Sequence, residues 1–277
     1  MDKHCIDHKK AVILTCVVAV IWSLAGLNIK MIRWAPFAIA AGRSLAAALF
    51  MIPLIGKNEW RKVDRNVIGG AVCYVIFNYC FIVSTKLTSS AMAIMMQYTA
   101  PIYVVFLSWF FLKERIQKAD IINLCVVFFG MFLFFSDEKG GGSLTGNIIA
   151  VFNGISFAGI SIFLRLQKNG NPVLSMFWGN AFTALIGIPF MAAGGLPDGQ
   201  SLLFLVIAGA LASFSYALYA FVSKQLSALE IVLIPIIDPI MNPIWVFIFM
   251  GERPGVLSII GAVIIFLSVT IRMLRKR

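Results

Sequence analysis

The chain has 277 residues, 60% of them hydrophobic and only 13% charged, against the ~25% charged residues usual in soluble globular chains. So few polar residues could not cover a soluble core of this size, which excludes a soluble enzyme. A formal net charge of +11 would otherwise point to nucleic acid, but the basic residues sit in short segments between apolar runs, beside anionic lipid rather than a polynucleotide.

A run of about 20 apolar residues spans the hydrocarbon of a bilayer. Ten such runs follow in order, at about 11–29, 34–55, 67–85, 89–112, 119–136, 144–164, 173–193, 202–223, 229–250 and 255–272. Backbone in lipid must satisfy its own hydrogen bonds, so these runs are expected to be helices and the fold all-α. Span one is long, is followed by Lys30 and lacks a small-residue cleavage site, so it is expected to stay as a signal-anchor helix rather than to be removed. The longest connections, near 56–66, 137–143 and 194–200, are too short for a soluble domain. Gly-Gly-Gly at 140–142 is the expected flexible linker between a first half, 1–139, and a second half, 140–277.

Ten spans put both termini on one side of the membrane. If that side is the cytoplasm, seventeen basic residues fall inside, including Lys9, Lys10, Arg61, Arg65, Lys113, Arg115, Lys224, Arg272 and Arg275. Five fall outside: Lys30, Arg33, Lys86, Lys139 and Arg253. The positive-inside rule therefore predicts a multi-pass protein of the cytoplasmic membrane with both termini cytoplasmic.

The two halves repeat one another. Pro101 precedes Glu114 by thirteen residues, Pro239 precedes Glu252 by thirteen, and the copies lie 138 residues apart. Lys86 falls on Lys224 at the same offset, while Pro36 falls on Pro172 and Pro53 on Pro189 at an offset of 136. Each half holds an odd number of spans, so the copies are expected to be inverted, the plan of many secondary transporters.

AVIWSLAGLNIKMI in span one, with Trp22 and Lys30, resembles the opening helix of the EamA branch of the drug/metabolite transporter superfamily. Arg43, in FAIAAGRSLAAALF, matches an arginine common in that family's second helix, and the Pro101–Glu114 and Pro239–Glu252 segments resemble its fourth and ninth helices. The resemblance covers nearly the whole chain. It implies ten helices in two inverted five-helix repeats around a central cavity, lined by helices one, three, four, six, eight and nine. It also implies transport of amino acids, other metabolites or drugs. The sequence departs from the family at Ala100, where members often carry an acid; the corresponding residue of the second half is Asp238.

Charges within a bilayer are costly and are functional candidates by default. Arg43 lies near the middle of span two and Asp238 near the middle of span nine. They could pair with each other, grip opposite ends of a zwitterion, or act separately, with Asp238 titrating or binding a cation. The resemblance places the second helix away from the cavity, which favours a structural Arg43. Glu230, at the end of span nine, is expected to reach headgroups or Lys224. Pro235, Pro239 and Pro243 recur every four residues, each removing a backbone donor and freeing a carbonyl one turn back. They are expected to break span nine around Asp238, and interrupted helices at the midplane are where transporters place binding sites.

On the helices that the resemblance makes cavity-lining, the polar and aromatic candidates for substrate binding are Trp22, Asn28, Asn78, Tyr79, Gln97, Tyr98, Asn153, Tyr216, Tyr219, Asn242 and Trp245, with Asp238. Aromatic walls with few charges suit a small amphipathic metabolite such as an amino acid or amine, or a quaternary ammonium held by cation–π contacts. Glu114 and Glu252, each beside an arginine, read as helix-end ion pairs or gates. Four of the five cysteines sit within apolar runs as packing residues, and His4, Cys5 and His8 lack a fourth ligand, so neither a metal nor another cofactor is expected.

There is no G-x-x-x-x-G-K-[ST] loop. No embedded histidine or paired carboxylates point to catalysis, which counts against a membrane-embedded lipid or prenyl enzyme. The sequence therefore reads as a secondary transporter, an exporter working by alternating access, with a small-molecule substrate, lipid around it, proton coupling through Asp238 as a possibility, and monomer or homodimer both open. A sensor with this fold but no transport is the remaining alternative. The topology is checked with a cysteine at Gly141: labelling from the outer face is expected, and labelling only from the cytoplasm overturns it.

Overall fold

The computed structural model describes residues 7–88, 90–113, 117–136, 143–241 and 255–275. Among them every regular element is a helix. Their bounds follow the apolar runs closely: α1 His8–Lys30, α2 Pro36–Met51, α3 Arg65–Leu87, α4 Ser90–Gln97, α5 Ala100–Leu107, α6 Lys118–Ser136, α7 Leu144–Leu166, α8 Val173–Ala193, α9 Gly199–Val222, α10 Ala228–Leu233 and α11 Val256–Arg275. Span four is divided into α4, α5 and a wider turn over Ser108–Leu112. Span nine begins as α10, tightens over Ile234–Ile236 and resumes as helix at 237–241.

Local chemistry sets the helix starts. Asp64, Ser143, Asp198 and Ser227 cap α3, α7, α9 and α10, each side chain accepting a backbone N–H of the first turn. The Ser201 N–H on Asp198 Oδ1, at 2.7 Å, holds that exposed carboxyl below its ordinary value. Glu230 completes a reciprocal capping box with Ser227, and its Oε1 lies 3.1 Å from His8 Nε2. Lys224, expected to meet Glu230, donates instead to the Gly170 carbonyl at 2.6 Å. Glu230 is buried and its carboxylate is turned inward onto its own helix start, which is why it does not reach headgroups.

Breaks follow proline. Pro101 has no N–H for the carbonyl of Gln97, and α4 stops there; Pro235 and Pro239 do the same in span nine. Gly154 of α7 fits beside the first break, where a Cβ would stand 2.7 Å from the Met96 carbonyl oxygen.

The packing pairs exchange into one another when the halves are swapped. α2 with α8, and α6 with α11, pair a span with its own repeat mate. The α3–α7 contact has its counterpart in α9–α1, and α2–α9 in α8–α3. Five spans per half make that relation an inversion across the membrane, so the chain is two inverted five-helix repeats around a central cavity. The main apolar cluster joins α1, α3, α7 and α9, with Tyr74, Phe77, Phe157 and Tyr219 at its centre. A second cluster seats the α6–α11 pair against the two breaks through Tyr98 and Ile236. Apolar side chains also cover the outside, among them Phe106, Trp109, Phe129, Phe132, Leu185 and Phe214. On a soluble protein such a surface would be an aggregation liability; here it faces lipid. Five described helices are long and apolar enough to cross a membrane: Pro36–Leu54, Arg65–Leu87, Leu144–Leu166, Val173–Ala193 and Gly199–Val222.

The α6–α11 crossing is held by an Arg272–Asp120 ion pair at 2.5 Å and by a close backbone approach at Gly130 and Gly261. A Cβ at Gly261 would stand 2.5 Å from the Phe134 nitrogen, which belongs to a rigid helix and cannot yield. Gly261→Ala is expected to destabilise the fold by about 1–3 kcal/mol. Thermal unfolding in detergent checks this, and an unchanged midpoint would rule out the close crossing.

Candidate functional site

The breaks free carbonyls, and tyrosine hydroxyls occupy them. Pro235 removes the donor that would serve Ile231, and Tyr219 of α9 donates to the Ile231 carbonyl at 3.0 Å. Pro239 removes the donor that would serve Pro235, and the Tyr98 hydroxyl lies 2.8 Å from the Pro235 carbonyl. The same Tyr98 hydroxyl lies 2.9 Å from Asp238 Oδ2. Tyr98 is the residue after α4, and its position in the gap between α4 and α5 is what lets it cross to span nine.

Between the halves lies a cavity of about 60 Å³, room for a few water-sized groups as shaped here. Its wall includes Trp22 of α1, Arg43 of α2, Phe77 and Phe81 of α3, Gln97 of α4, Tyr216 of α9 and Asp238 of span nine. Trp22 Nε1 donates to Ser215 Oγ at 3.0 Å, and its ring lies 5.1 Å from those of Tyr216 and Tyr219. Gln97 Oε1 accepts from Asn153 Nδ2 at 3.2 Å, joining α4 to α7 behind the wall.

Arg43, expected away from the cavity, forms part of it. Span two packs on α8 and α9, and Arg43 lines the cavity beside residues of α9, with Asn78 of α3 next to it. Its Nη2 donates to Asn78 Oδ1, and Asn78 Nδ2 donates to Ser44 Oγ at 2.8 Å. Arg43 and Asp238 face one cavity, yet among the described residues no ion pair joins them.

Two other sequence candidates point elsewhere. Asn28 turns back on its own helix, donating to the Leu24 carbonyl at 3.0 Å. Tyr79 donates to the Thr183 carbonyl of α8 at 2.8 Å and packs on Phe37. Glu114 with Arg115, Glu252 with Arg253, Asn242, Pro243, Trp245, His4, Cys5 and the 140–142 linker lie outside the described residues. Phe77, Phe81, Ser215, Ala208 and Ala212 line the cavity without having been singled out. Phe77 with Phe81, and Ala208 with Ala212 and Ser215, recur at helical spacing, but such stripes also mark ordinary helix packing.

Removing either tyrosine hydroxyl strands a carbonyl in the membrane interior. Tyr98→Phe and Tyr219→Phe are each expected to cost about 1–3 kcal/mol. Each hydroxyl has a second partner, Asp238 Oδ2 for Tyr98 and Ser161 Oγ for Tyr219, so the two losses should be similar. Denaturant unfolding in detergent is the check; wild-type stability in both variants would show that water reaches these carbonyls.

The EamA-like transporter family model matches this chain twice, over residues 9–136 and 144–274. An uncharacterized transporter of Bacillus subtilis (strain 168), YxxF, is 26% identical over 284 residues, covering 96% of this chain and 90% of that protein. An uncharacterized transporter of Archaeoglobus fulgidus is 21% identical over 270 residues, covering 97% of each. One solved crystal structure shares the fold, with a TM-score of 0.81 over 96% of this chain and 97% of that chain, at 18% identity. With both halves matched, a chain of two inverted repeats closing on one cavity belongs to the EamA-like transporter family.

Proposed function

We propose that this membrane protein is a secondary exporter of a small amphipathic metabolite, of the amino-acid or amine kind, working by alternating access in the cytoplasmic membrane. Its two moving units are the halves 1–139 and 140–277, and both termini are cytoplasmic, a reading supported by the distribution of basic residues. Support for two units comes from the two family matches and from a cavity walled by α1 to α4 on one side and by α9 and span nine on the other.

The observation that carries the reading is the Tyr98 hydroxyl between Asp238 and the Pro235 carbonyl. A hydroxyl has one hydrogen to give. With Asp238 ionised, Tyr98 can serve the carboxylate or the carbonyl, but not both fully. With Asp238 protonated, the carboxyl donates to the Tyr98 oxygen, Tyr98 donates to Pro235, and every group is satisfied. A cationic group at Asp238 would draw the tyrosine hydrogen back to the carbonyl in the same way. Asp238 therefore takes up a proton or a cationic substrate group in one facing state and releases it in the other. The groups around it in this arrangement are Tyr98 on its oxygen, and Arg43 and Tyr216 across the cavity.

Asp238→Asn is close to isosteric and cannot titrate. It is expected to leave the fold intact and to weaken transport, or its pH dependence, in liposomes assayed between about pH 5 and 8. Transport equal to the parent's across that range would make Asp238 structural and leave recognition to the aromatic wall.

A further inference from the structure

Arg43 is a cation without a counter-charge. Its Nη2 donates to Asn78 Oδ1, a neutral acceptor that Ser44 holds in place. Among the described residues no carboxylate lies within ion-pair range of it. Charged groups inside a bilayer ordinarily meet an opposite charge or a water-filled space. Of the two guanidinium nitrogens without a partner, Nε is a buried atom and Nη1 is not. Nη1 is therefore the edge through which Arg43 meets the cavity it lines.

Two further donors on the same wall are unused. The Tyr216 hydroxyl has no hydrogen-bond partner among the described residues, and it is not a buried atom. Gln97 spends its Oε1 on Asn153, while its Nε2 has no partner and is not buried either. Tyr216 also lies within electrostatic reach of Arg43. Other polar groups of the wall are occupied: Trp22 donates to Ser215, Ser215 to the Ala212 carbonyl and Ser23 to the Val20 carbonyl. Among the described residues the wall has one acid, Asp238, whose Oδ2 is engaged by Tyr98. Free donors outnumber free acceptors, and the wall is net positive whenever Asp238 carries a proton or a cationic group.

We infer that this cavity holds a small monovalent inorganic anion, a halide such as chloride, at Arg43 Nη1, with the Tyr216 hydroxyl and the Gln97 amide as its other donors. One guanidinium matches one negative charge, so a divalent anion would stay half-neutralised. A volume of about 60 Å³ admits a halide but not a bulky organic anion. The remaining surface, Ile21, Phe77, Phe81 and Leu211, is apolar and suits a weakly hydrated ion better than sulfate. The anion neutralises Arg43 and leaves Asp238 to the proton or cationic group. This site goes beyond the transporter reading and does not depend on it, because binding is measured without a transported solute.

The test uses the purified full chain in detergent, exchanged into sodium gluconate. Gluconate is replaced stepwise by chloride, bromide or sulfate at constant ionic strength while the unfolding midpoint is followed. A ligand of the native state raises the midpoint with its occupancy. Chloride and bromide are expected to raise it saturably, and sulfate is not. General salt stabilisation runs the other way, with sulfate a strong stabiliser. Arg43→Gln keeps an amide donor without the charge, and Tyr216→Phe keeps the ring without the hydroxyl. Each should raise the half-saturating chloride concentration about tenfold or more. If Arg43→Gln does not fold, Tyr216→Phe decides alone. The inference is overturned by no halide-dependent shift, by an equal or larger shift with sulfate, or by an unchanged half-saturating concentration in either folded variant. The last result would place the halide on the protein surface. Halide stabilisation in a protein that moves no solute in liposomes would sink the transporter reading and leave the anion site standing.

Discussion

Backbone in a lipid interior has no water to fall back on, and the rest of this structure depends on that constraint. Proline breaks the hydrogen-bond ladder in span four at Pro101 and in span nine at Pro235 and Pro239. Each freed carbonyl would cost on the order of 1–3 kcal/mol if left alone. Tyr219 and Tyr98 cover two of them from other spans. The breaks therefore do more than bend two helices. They create acceptors that tie span nine to α9 within the second half and, through Tyr98, to the α4–α5 gap of the first.

The same device places the polar chemistry. Tyr98 is free to cross to span nine because it lies outside a regular helix, and on the way it meets Asp238. Span four carries Ala100 where span nine carries Asp238, so the inverted repeat is not chemically symmetric. The first half contributes a cation through Arg43, set by Asn78 and Ser44, and the second contributes the acid. Duplication supplied two equivalent frames, and divergence at these positions gave the cavity two unlike walls. Outside the cavity the frame stays symmetric, with α2 on α8 and α6 on α11.

Packing around the site is tight where small residues allow it. Gly154 brings α7 against the Met96 and Gln97 carbonyls at the break in span four, while Gly130 and Gly261 let α6 and α11 cross closely. Without a hydrophobic driving force between helices in lipid, such close approach is what holds them. The α6–α11 pair then buttresses both breaks through the apolar cluster around Tyr98 and Ile236. A local defect in two helices is tolerated because a rigid pair stands behind it.

The sequence by itself determined the ten spans, their order and the duplication, because apolar length and proline spacing are properties of the chain alone. It also marked Asp238 and the prolines around it, since a charge within an apolar run stands out without any knowledge of its neighbours. It misplaced Arg43, Tyr79, Asn28 and Glu230. Each of these depends on which face of a helix meets which partner, and in a chain apolar on all sides that face leaves no periodic signal. Tertiary structure alone decided that Tyr98 and Tyr219 would cap carbonyls freed on another span, 137 residues away from Tyr98 in one case and 12 from Tyr219 in the other. It alone decided that Arg43 and Asp238 would share a cavity without pairing. The physical reason is that spacing along a chain fixes what a helix lacks, whereas only packing fixes what fills the gap.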